Sequence, residues 1–444
     1  MKIKFLGAAG TVTGSSYVVT SNSGQSILID LGMFQGPTEI DKLNYENFDY
    51  DCARLSGAIL THAHLDHCGR IPILLPRGFK GDIWMTRPTK DLTELSLLDS
   101  AKIAKQDGKK VLFDKELATN TFTHFKSTDY HAPVELGDFK ITMYDAGHIL
   151  GSASLLIEVD GQKIIFSGDL GNSPQDLVNK TETFSAADIV VMESTYGDRV
   201  HPAGEPEVTI AEQINAAEAS GGMVLIPAFS LDRTQEILHI LLHLKKLGKI
   251  KNETPVYLDG PMAEKATAIY LNYPNSFNSH IQDDLKQGDP FTFPGLIEIS
   301  TREQSQGIYQ QPLPGVIIAG SGMMTGGRIV GHAAHYLPQN STRLLIVGYQ
   351  GEGTLGRQLL EGEKTVTIDD MQIAVRATVT SIETMSSHAD QSQLLNWLKP
   401  IGGVKKIFLT HGEDGSRKVL SQKITSDLGI GDICLPTLNE EVII

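Results

Sequence analysis

The sequence predicts a mixed α/β chain in which a domain of short strands is interrupted by an inserted, Rossmann-like domain. Short strands broken by Gly, Asn and Asp dominate residues 1–204. Strands, glycine-rich loops and helices alternate over residues 205–375, which is typical of a parallel sheet with crossover helices. Short strands return over residues 376–444. With 444 residues, the chain is long enough for two or three folding units.

The predicted strands of the first segment lead into polar residues and glycines. These strands are Lys2 to Leu6, Ser26 to Leu31, Gly57 to Thr61, Phe139 to Tyr144, and the hairpin from Ala153 to Phe166. Functional groups commonly lie where strands end. Asp30 and Asp169, each beside a glycine at such an end, are therefore candidates for a functional site.

The inserted segment begins its alternation with an apolar strand from Gly222 to Ala228. Ser230 is expected to N-cap the next helix, which runs to about Lys246. A glycine-rich loop at 320–327 follows another apolar strand and precedes another helix. The run from Thr378 to Ile382 is assigned to the returning short-strand domain, because it lies beyond the last strand–loop–helix unit.

Charge and composition exclude few functions. The net charge of −15, from 53 acidic and 38 basic residues, argues against indiscriminate coating of nucleic acid. A local basic groove can still coexist with an acidic exterior. No apolar run approaches the about 18–20 residues that a membrane span requires, so no membrane partner is expected. The only cysteines, Cys52, Cys68 and Cys434, form no disulfide or CxxC pattern and favour a cytoplasmic compartment.

The segment His62-Ala63-His64-Leu65-Asp66-His67 predicts a metal site. It places three imidazoles and a carboxylate directly after a predicted strand, and each is a good zinc ligand. Residues two apart in an extended stretch point to the same side, so His62 and His64 can share one metal. Asp66 and His67 lie at the following turn and can face a second metal. The segment alone indicates a metal hydrolase.

One segment cannot complete two metal shells, so further ligands are sought at other strand ends. His148, Asp169 and His411 follow predicted strands. Taken alone, His148 would more often be an ordinary histidine, and Asp169 could equally cap a turn. His411 follows a threonine, as His62 does. Each becomes a candidate ligand because the first segment does not supply enough ligands for two metal ions.

These motifs together resemble a known superfamily. The ordered set Asp30, His62 to His67, His148 and Asp169 is similar to the four metal-binding motifs of the metallo-β-lactamase superfamily. Glu193, His388 and His411 resemble motifs A, B and C of its β-CASP nucleases. The resemblance covers essentially the whole chain. It implies an αββα sandwich formed by residues 1–204 and 376–444, with a β-CASP domain inserted at 205–375.

The resemblance also implies a role for each site residue. One zinc ion is expected on His62, His64 and His148, and a second on Asp66, His67 and His411, with Asp169 bridging both. Asp30 is expected to brace the loop without touching metal. A water bound between the metals is expected to attack phosphorus. The expected catalytic residues are Asp66, which is also a metal ligand, His388 and Glu193. His388 would protonate the leaving oxygen, and Glu193 would orient His388. Without the resemblance, Glu193 and His388 would be taken for ordinary surface and loop residues.

The histidine at motif C favours RNA, because RNA-cleaving members of the family resemble this chain at His411. A zinc-dependent ribonuclease acting on single-stranded RNA is therefore expected. The alternatives are a hydrolase of the same fold acting on DNA or on a small ester or thioester, and a non-enzymatic RNA-binding subunit. Phosphate contacts are expected from helix starts and turns of the inserted domain, at Arg233, Arg328, Arg357, Ser230 and Ser321.

The remaining properties considered are an N-terminal extension, the oligomeric state and the mode of cleavage. The chain begins at its first predicted strand, so the N-terminal KH extension of many archaeal relatives is not expected. A homodimer is a family-level expectation. Whether cleavage is internal or proceeds from a 5′ end is not indicated by the sequence.

Overall fold

A computed structural model describes residues 1–106, 110–173 and 176–444. The chain forms two compact units. The first unit combines Met1–Val200 with Ser387–Ile444, and the second consists of His201–Ser386. Sequence patterns placed the corresponding boundaries at residues 204 and 375, so the second unit extends further toward both ends than expected.

The first unit contains two seven-stranded sheets. The first sheet contains, in spatial order, Glu441–Ile443, Lys2–Phe5, Tyr17–Thr20, Ser26–Ile29, Leu55–Ile59, Asp82–Thr86 and Phe125–Thr128. The second contains Ile433–Cys434, Lys406–Leu409, Ile189–Met192, Gln162–Phe166, Ala153–Val159, Phe139–Asp145 and Val134–Leu136. Alternate residues of a strand face opposite sides of its sheet, so each sheet can bury both faces.

The core of the first unit lies between these sheets. Ile3, Phe5 and Ile29 of the first sheet share one buried cluster with Phe166 and Phe408 of the second. Aromatic rings meet across the gap, with the Phe5 and Phe408 centroids 5.0 Å apart. Burial of such apolar surface from both sheets is the main force that holds them face to face.

Helices cover the outer faces of both sheets. The helices of this unit are Thr38–Asp41, Leu65–Cys68, Arg87–Gln106, Lys115–Phe122, Gln391–Leu398 and Asp414–Leu428. Leu97 and Ala118 pack on the outer face of the first sheet. Trp397 and Leu420 pack on the outer face of the second sheet. The predicted αββα sandwich is confirmed.

The second unit is built on a six-stranded, wholly parallel sheet, as predicted for a Rossmann-like domain. Its strands in spatial order are Leu296–Ile299, Val256–Asp259, Gly315–Ala319, Met223–Pro227, Arg343–Ile346 and Thr378–Ser381. Its helices are Pro206–Ser220, Arg233–Lys246, Pro261–Leu271, Ser279–Leu285, Arg302–Gly307, Arg328–Tyr336 and Leu355–Leu360. Thr365–Ile368 and Met371–Ala374 form a separate antiparallel hairpin.

Two local expectations differ from the structure. Thr378–Ser381 pairs in parallel with Arg343–Ile346, so it belongs to the second unit and not to the returning sandwich. The helix Arg233–Lys246 is preceded by Asp232 at its N-cap and not by Ser230. The backbone of Asp232 is left-handed, with φ at 65°, and its side chain makes no capping hydrogen bond.

No helix in residues 1–106, 110–173 and 176–444 is both long enough and apolar enough to span a bilayer.

Backbone contacts connect the end of one strand to the predicted metal-binding segment. Leu31 N donates to the carbonyl of His67 at 2.8 Å, and Met33 N donates to the carbonyl of Leu65 at 2.7 Å. Between them lies Gly32, where a Cβ atom would overlap the backbone of Asp66. A side chain at position 32 would therefore displace this segment.

We expect Gly32→Ala to lower the free energy of unfolding by about 1–3 kcal/mol, the typical cost of overpacking a close contact. Chemical denaturation measures this directly. Gly415→Ala is the matched control, since a Cβ atom there would meet nothing within 4 Å. Equal stability of the two variants would contradict the close-packing role of Gly32.

Candidate metal centre

The candidate ligands follow the ends of strands that run in one direction. In the second sheet, the strands Phe139–Asp145, Gln162–Phe166 and Lys406–Leu409 are all oriented alike. His148, Asp169 and His411 come shortly after these strands. In the first sheet, Ser26–Ile29 and Leu55–Ile59 are parallel and lead into Asp30 and His62. Strand direction thus gathers residues distant in sequence at one place.

The first group of ligands consists of His62, His64, His148 and Asp169, whose donor atoms all lie within 4.8 Å of one another. His64 Nδ1 is 3.2 Å from Nε2 of both His62 and His148. Asp169 Oδ2 is 3.5 Å from His62 Nε2 and 3.6 Å from His148 Nε2. Three imidazoles and one carboxylate oxygen therefore surround a single point.

The second group consists of Asp66, His67 and His411. Asp66 Oδ2 lies 3.4 Å from His411 Nε2. The other oxygen of Asp169, Oδ1, lies 3.2 Å from His67 Nε2 and 3.7 Å from His411 Nε2. Asp169 thus presents one oxygen to each group, which is the arrangement required of a bridging ligand.

These residues fit a pair of zinc-like ions. With metal–ligand bonds of about 2.0–2.1 Å, the ligand atoms of a tetrahedral site lie about 3.3 Å apart, close to the observed spacings. Both oxygens of Asp169 are buried without a hydrogen bond of ordinary geometry among the described residues. A buried carboxylate of this kind requires a compensating positive charge, which bound cations would supply.

Electrostatics prepare the first group to bind metal. Burial is the main cause that lowers the pKa of His64 to about 4, and burial also lowers the pKa values of His62 and His148 well below their ordinary value. All three imidazoles are therefore neutral at pH 7, the form that coordinates metal. Burial alone would raise the pKa of Asp169, but the surrounding histidines hold it well below its usual value.

The ligands are oriented by hydrogen bonds on their far sides. Asp30 accepts hydrogen bonds from both the backbone N and the hydroxyl of Thr61, each at 2.8 Å. The Oδ2 atom of Asp30 also lies 2.8 Å from His67 Nδ1, so Nε2 of His67 faces the site. His411 Nδ1 is held in the same way, 3.0 Å from the hydroxyl of Thr195. Such contacts determine the tautomer and ring orientation of metal-binding histidines.

His388 lies beside the centre and is paired with Glu193. His388 Nδ1 is 3.2 Å from Glu193 Oε1, and His388 Nε2 is 3.9 Å from Asp169 Oδ2. The backbone N of Leu170 donates to Glu193 Oε1 at 2.6 Å and fixes the carboxylate. Burial lowers the pKa of His388, but the charges of Glu193 and Asp169 outweigh it and raise the pKa to about 9.

Thr61 and Thr195 were not singled out from the sequence. Thr61 bridges Asp30 and the ligand segment, and its hydroxyl lies 3.1 Å from His62 Nδ1. Thr195 contacts both His411 and His388, at 3.0 and 3.4 Å from their Nδ1 atoms. Their only sequence signal is position, since each is adjacent to or within a recognised motif.

The predicted phosphate-binding residues lie in the second unit and already have partners within it. Arg233 is buried and forms an ion pair with Glu236. Arg328 Nη1 contacts Asp259 and donates to the carbonyl of Ile299 at 2.8 Å. These contacts serve the fold of the unit.

The other three residues proposed for phosphate binding are partly exposed. Arg357 Nε lies 2.6 Å from Glu361, and the Arg357 side chain is 37% exposed. The hydroxyl of Ser321 accepts from Thr325 N at 3.0 Å within the glycine-rich loop. Ser230 is half-buried and its carbonyl accepts from the side chain of Gln235.

A buried His/Asp centre at the strand ends of an αββα sandwich defines a metallo-hydrolase of the metallo-β-lactamase fold. Residues 9–189 match the model of the metallo-beta-lactamase superfamily, and residues 234–359 match the Beta-Casp domain. Residues 372–436 match the Zn-dependent metallo-hydrolase RNA specificity domain. The chain belongs to the β-CASP family of Zn-dependent metallo-hydrolases.

Individual relatives support this assignment. The chain is 36% identical over 417 residues to Ribonuclease TTHA0252 of Thermus thermophilus, covering 93% of this chain and 94% of the relative. It is 33% identical to an RNase J-like protein of Methanocaldococcus jannaschii, covering 93% and 92%. A solved structure of a protein of unknown function from Enterococcus faecalis matches with a TM-score of 0.56 at 13% identity, covering 100% and 99% of the chains. That last likeness concerns the fold alone.

We expect Asp30→Ala to weaken zinc binding by about 10–100-fold, because it removes the brace of Thr61 and His67. Competition against a chromogenic chelator measures the affinity. Asp427→Ala, an exposed carboxylate on the helix Asp414–Leu428, is the control and should bind zinc as the unmodified protein does. Unchanged affinity in a folded Asp30→Ala protein would show that the brace is not needed.

Proposed function

We propose that this chain is a metal-dependent ribonuclease that hydrolyses phosphodiester bonds of single-stranded RNA. The observation that carries the proposal is Asp169, which lies between two histidine-containing ligand groups while the Nε2 atom of His388 lies 3.9 Å from one of its oxygens. The match to an RNA specificity domain and the likeness to Ribonuclease TTHA0252 support RNA as the substrate.

The proposal assigns two zinc ions to the centre. His62, His64 and His148 would hold one, Asp66, His67 and His411 the other, with Asp169 shared. Bound zinc supplies Lewis acidity and makes a coordinated water acidic near neutral pH. Asp66 and His67 lie on one short helix, Leu65–Cys68, so their ligand atoms are fixed relative to each other by its backbone.

His388 is proposed to donate a proton to the leaving oxygen. Its Nδ1 atom faces Glu193, so Nε2 is the atom that can hold a proton toward the site. The Glu193 carboxylate raises the pKa of that imidazole and so favours the protonated form that a general acid needs before it acts. Glu193 is proposed as a positioning residue, because its carboxylate contacts His388 and the backbone N atoms of Leu170 and Thr195.

A cytoplasmic homodimer completes the proposal. The three cysteines are free, and Cys52 and Cys68 are buried, as suits a reducing compartment. The homodimer rests on family resemblance and is tested by the mass of the protein in solution.

We expect His388→Ala to lower kcat for RNA cleavage by about 10²–10⁴-fold with zinc content unchanged, because proton donation is lost while the ligands remain. A substrate with sulfur in place of the leaving oxygen should recover much of this loss, since a thiolate leaves without protonation. His124→Gln is the control, because His124 lies outside the centre and its Nδ1 atom is 2.8 Å from the backbone carbonyl of Gly81.

The substrate class is tested with RNA and DNA oligonucleotides of one sequence, labelled at either end, with 5′-phosphate or 5′-hydroxyl. RNA cleavage that stops when zinc is chelated and resumes on its return is the expected result. Faster cleavage of DNA, or RNA cleavage that persists in a folded, zinc-free protein, would overturn the proposal. The end labels also distinguish internal cuts from stepwise removal at the 5′ end.

A further inference from the structure

A second cluster of metal-ligating side chains lies in the second unit and shares no residue with the centre around Asp169. It consists of His239, His243, His280 and Asp284, whose ligand atoms lie within 4.8 Å of one another. His239 and His243 are one turn apart on the helix Arg233–Lys246. His280 and Asp284 are one turn apart on Ser279–Leu285. Residues four apart share a helix face, so each helix contributes two ligands to one point.

Three of the four ligand atoms form a compact triangle. Asp284 Oδ2 is 3.0 Å from His239 Nε2 and 2.9 Å from His243 Nε2. The two Nε2 atoms are themselves 3.0 Å apart. The fourth side chain is close by, since the ring centroid of His280 lies 5.5 Å from those of both other histidines.

Protons cannot satisfy all three sides of this triangle well. If both imidazoles donate from Nε2 to Asp284, two N–H groups face each other across the third side. If one Nε2 atom is deprotonated, it can accept a hydrogen bond from the other imidazole. Its lone pair then faces a lone pair of the Asp284 carboxylate oxygen, which is unfavourable. One cation held by all three atoms removes this conflict. The sides are slightly shorter than the about 3.3 Å spacing of ligands around a tetrahedral zinc ion.

The surroundings make the cluster rigid on one side and accessible on the other. His239 and Asp284 are buried, and His243 has a side chain that is 32% exposed. His280 is exposed. Asn278 caps the shorter helix by accepting from the backbone N of His280 at 3.0 Å. A cation could therefore enter past His280 and meet two ligands that are already fixed.

The shorter helix has a small apolar anchor of its own. Ile281 is fully buried, and the ring of Phe277, just before the helix, lies near those of Tyr270 and Phe291, with centroids 6.2 and 6.1 Å away. In a seven-residue helix, few backbone hydrogen bonds can form, so its stability depends on contacts outside the helix. A metal that joins this short helix to the helix Arg233–Lys246 would add a strong contact near the start of the short helix.

We propose that His239, His243, His280 and Asp284 form a structural site for one divalent transition metal of the zinc class. Three imidazoles and one carboxylate suit zinc, cobalt or nickel and are a poor match for magnesium or calcium, which prefer oxygen ligands. The ion clips Ser279–Leu285 to the long helix of the second unit. The four protein ligands fill a tetrahedral shell, and among the described residues no second ligand group shares any of them, so the role is structural rather than catalytic.

The test counts metal in the full-length protein after dialysis against a small excess of zinc. We expect Asp284→Asn and His280→Gln each to lose one zinc ion per chain relative to the unmodified protein. His335→Gln is the matched control, because His335 is also an exposed histidine on a helix of the same unit, outside the cluster. Because His280 is exposed, His280→Gln removes no core packing. Its zinc content tests the proposal even if Asp284→Asn fails to fold.

A second measurement tests whether bound zinc stabilises the helix Ser279–Leu285. Zinc should slow hydrogen–deuterium exchange of Ser279–Leu285 in the unmodified protein and in His335→Gln, and should leave it unchanged in His280→Gln. RNA cleavage by His280→Gln is expected to persist, since the variant leaves the Asp169 centre intact. Equal zinc content in all four proteins, or equal exchange of this helix with and without zinc in the unmodified protein, would overturn the proposal.

Discussion

The first unit depends on a buried carboxylate. Asp169 is 2% exposed, and its oxygens face imidazole nitrogens on both sides. Removing an isolated carboxylate from water costs many kcal/mol unless positive charge or hydrogen-bond donors compensate it. The two sheets bring that compensation from distant parts of the chain, because ligands follow strands that end at the same place. The sandwich core keeps those strand ends together and so determines the geometry of the centre.

Local spacing explains why much of the centre could be predicted from the sequence. His62, His64 and Asp66 are close in the chain, so their convergence requires only one strand and one turn. The fold class was likewise visible in the change from short strands to alternating strands and helices. Thr61 and Thr195 were missed because a threonine hydroxyl has no distinctive pattern until its partner is known.

Contacts between distant residues explain why other features could not be predicted. The partner of Arg328, Asp259, ends a strand 69 positions earlier in the chain, so their ion pair has no local sequence signal. The sequence of the strand Thr378–Ser381 does not indicate which sheet the strand joins. Its pairing with Arg343–Ile346 assigns it to the sheet of the second unit. His239 and Asp284 are 45 positions apart, so neither helix alone predicts the cluster they form.

The two histidine clusters of this chain differ in whether a second ligand group lies beside the first. Around Asp169, seven residues form two ligand groups, and Asp169 presents one oxygen to each, so the two groups lie side by side. Two ions held in this way could bind a water and a phosphoryl oxygen between them. The cluster of the second unit gathers four residues around a single point and shares none of them with another group among the described residues. As proposed, imidazole and carboxylate would therefore serve a reactive centre in one unit and a clip between helices in the other, and the shared carboxylate makes the difference.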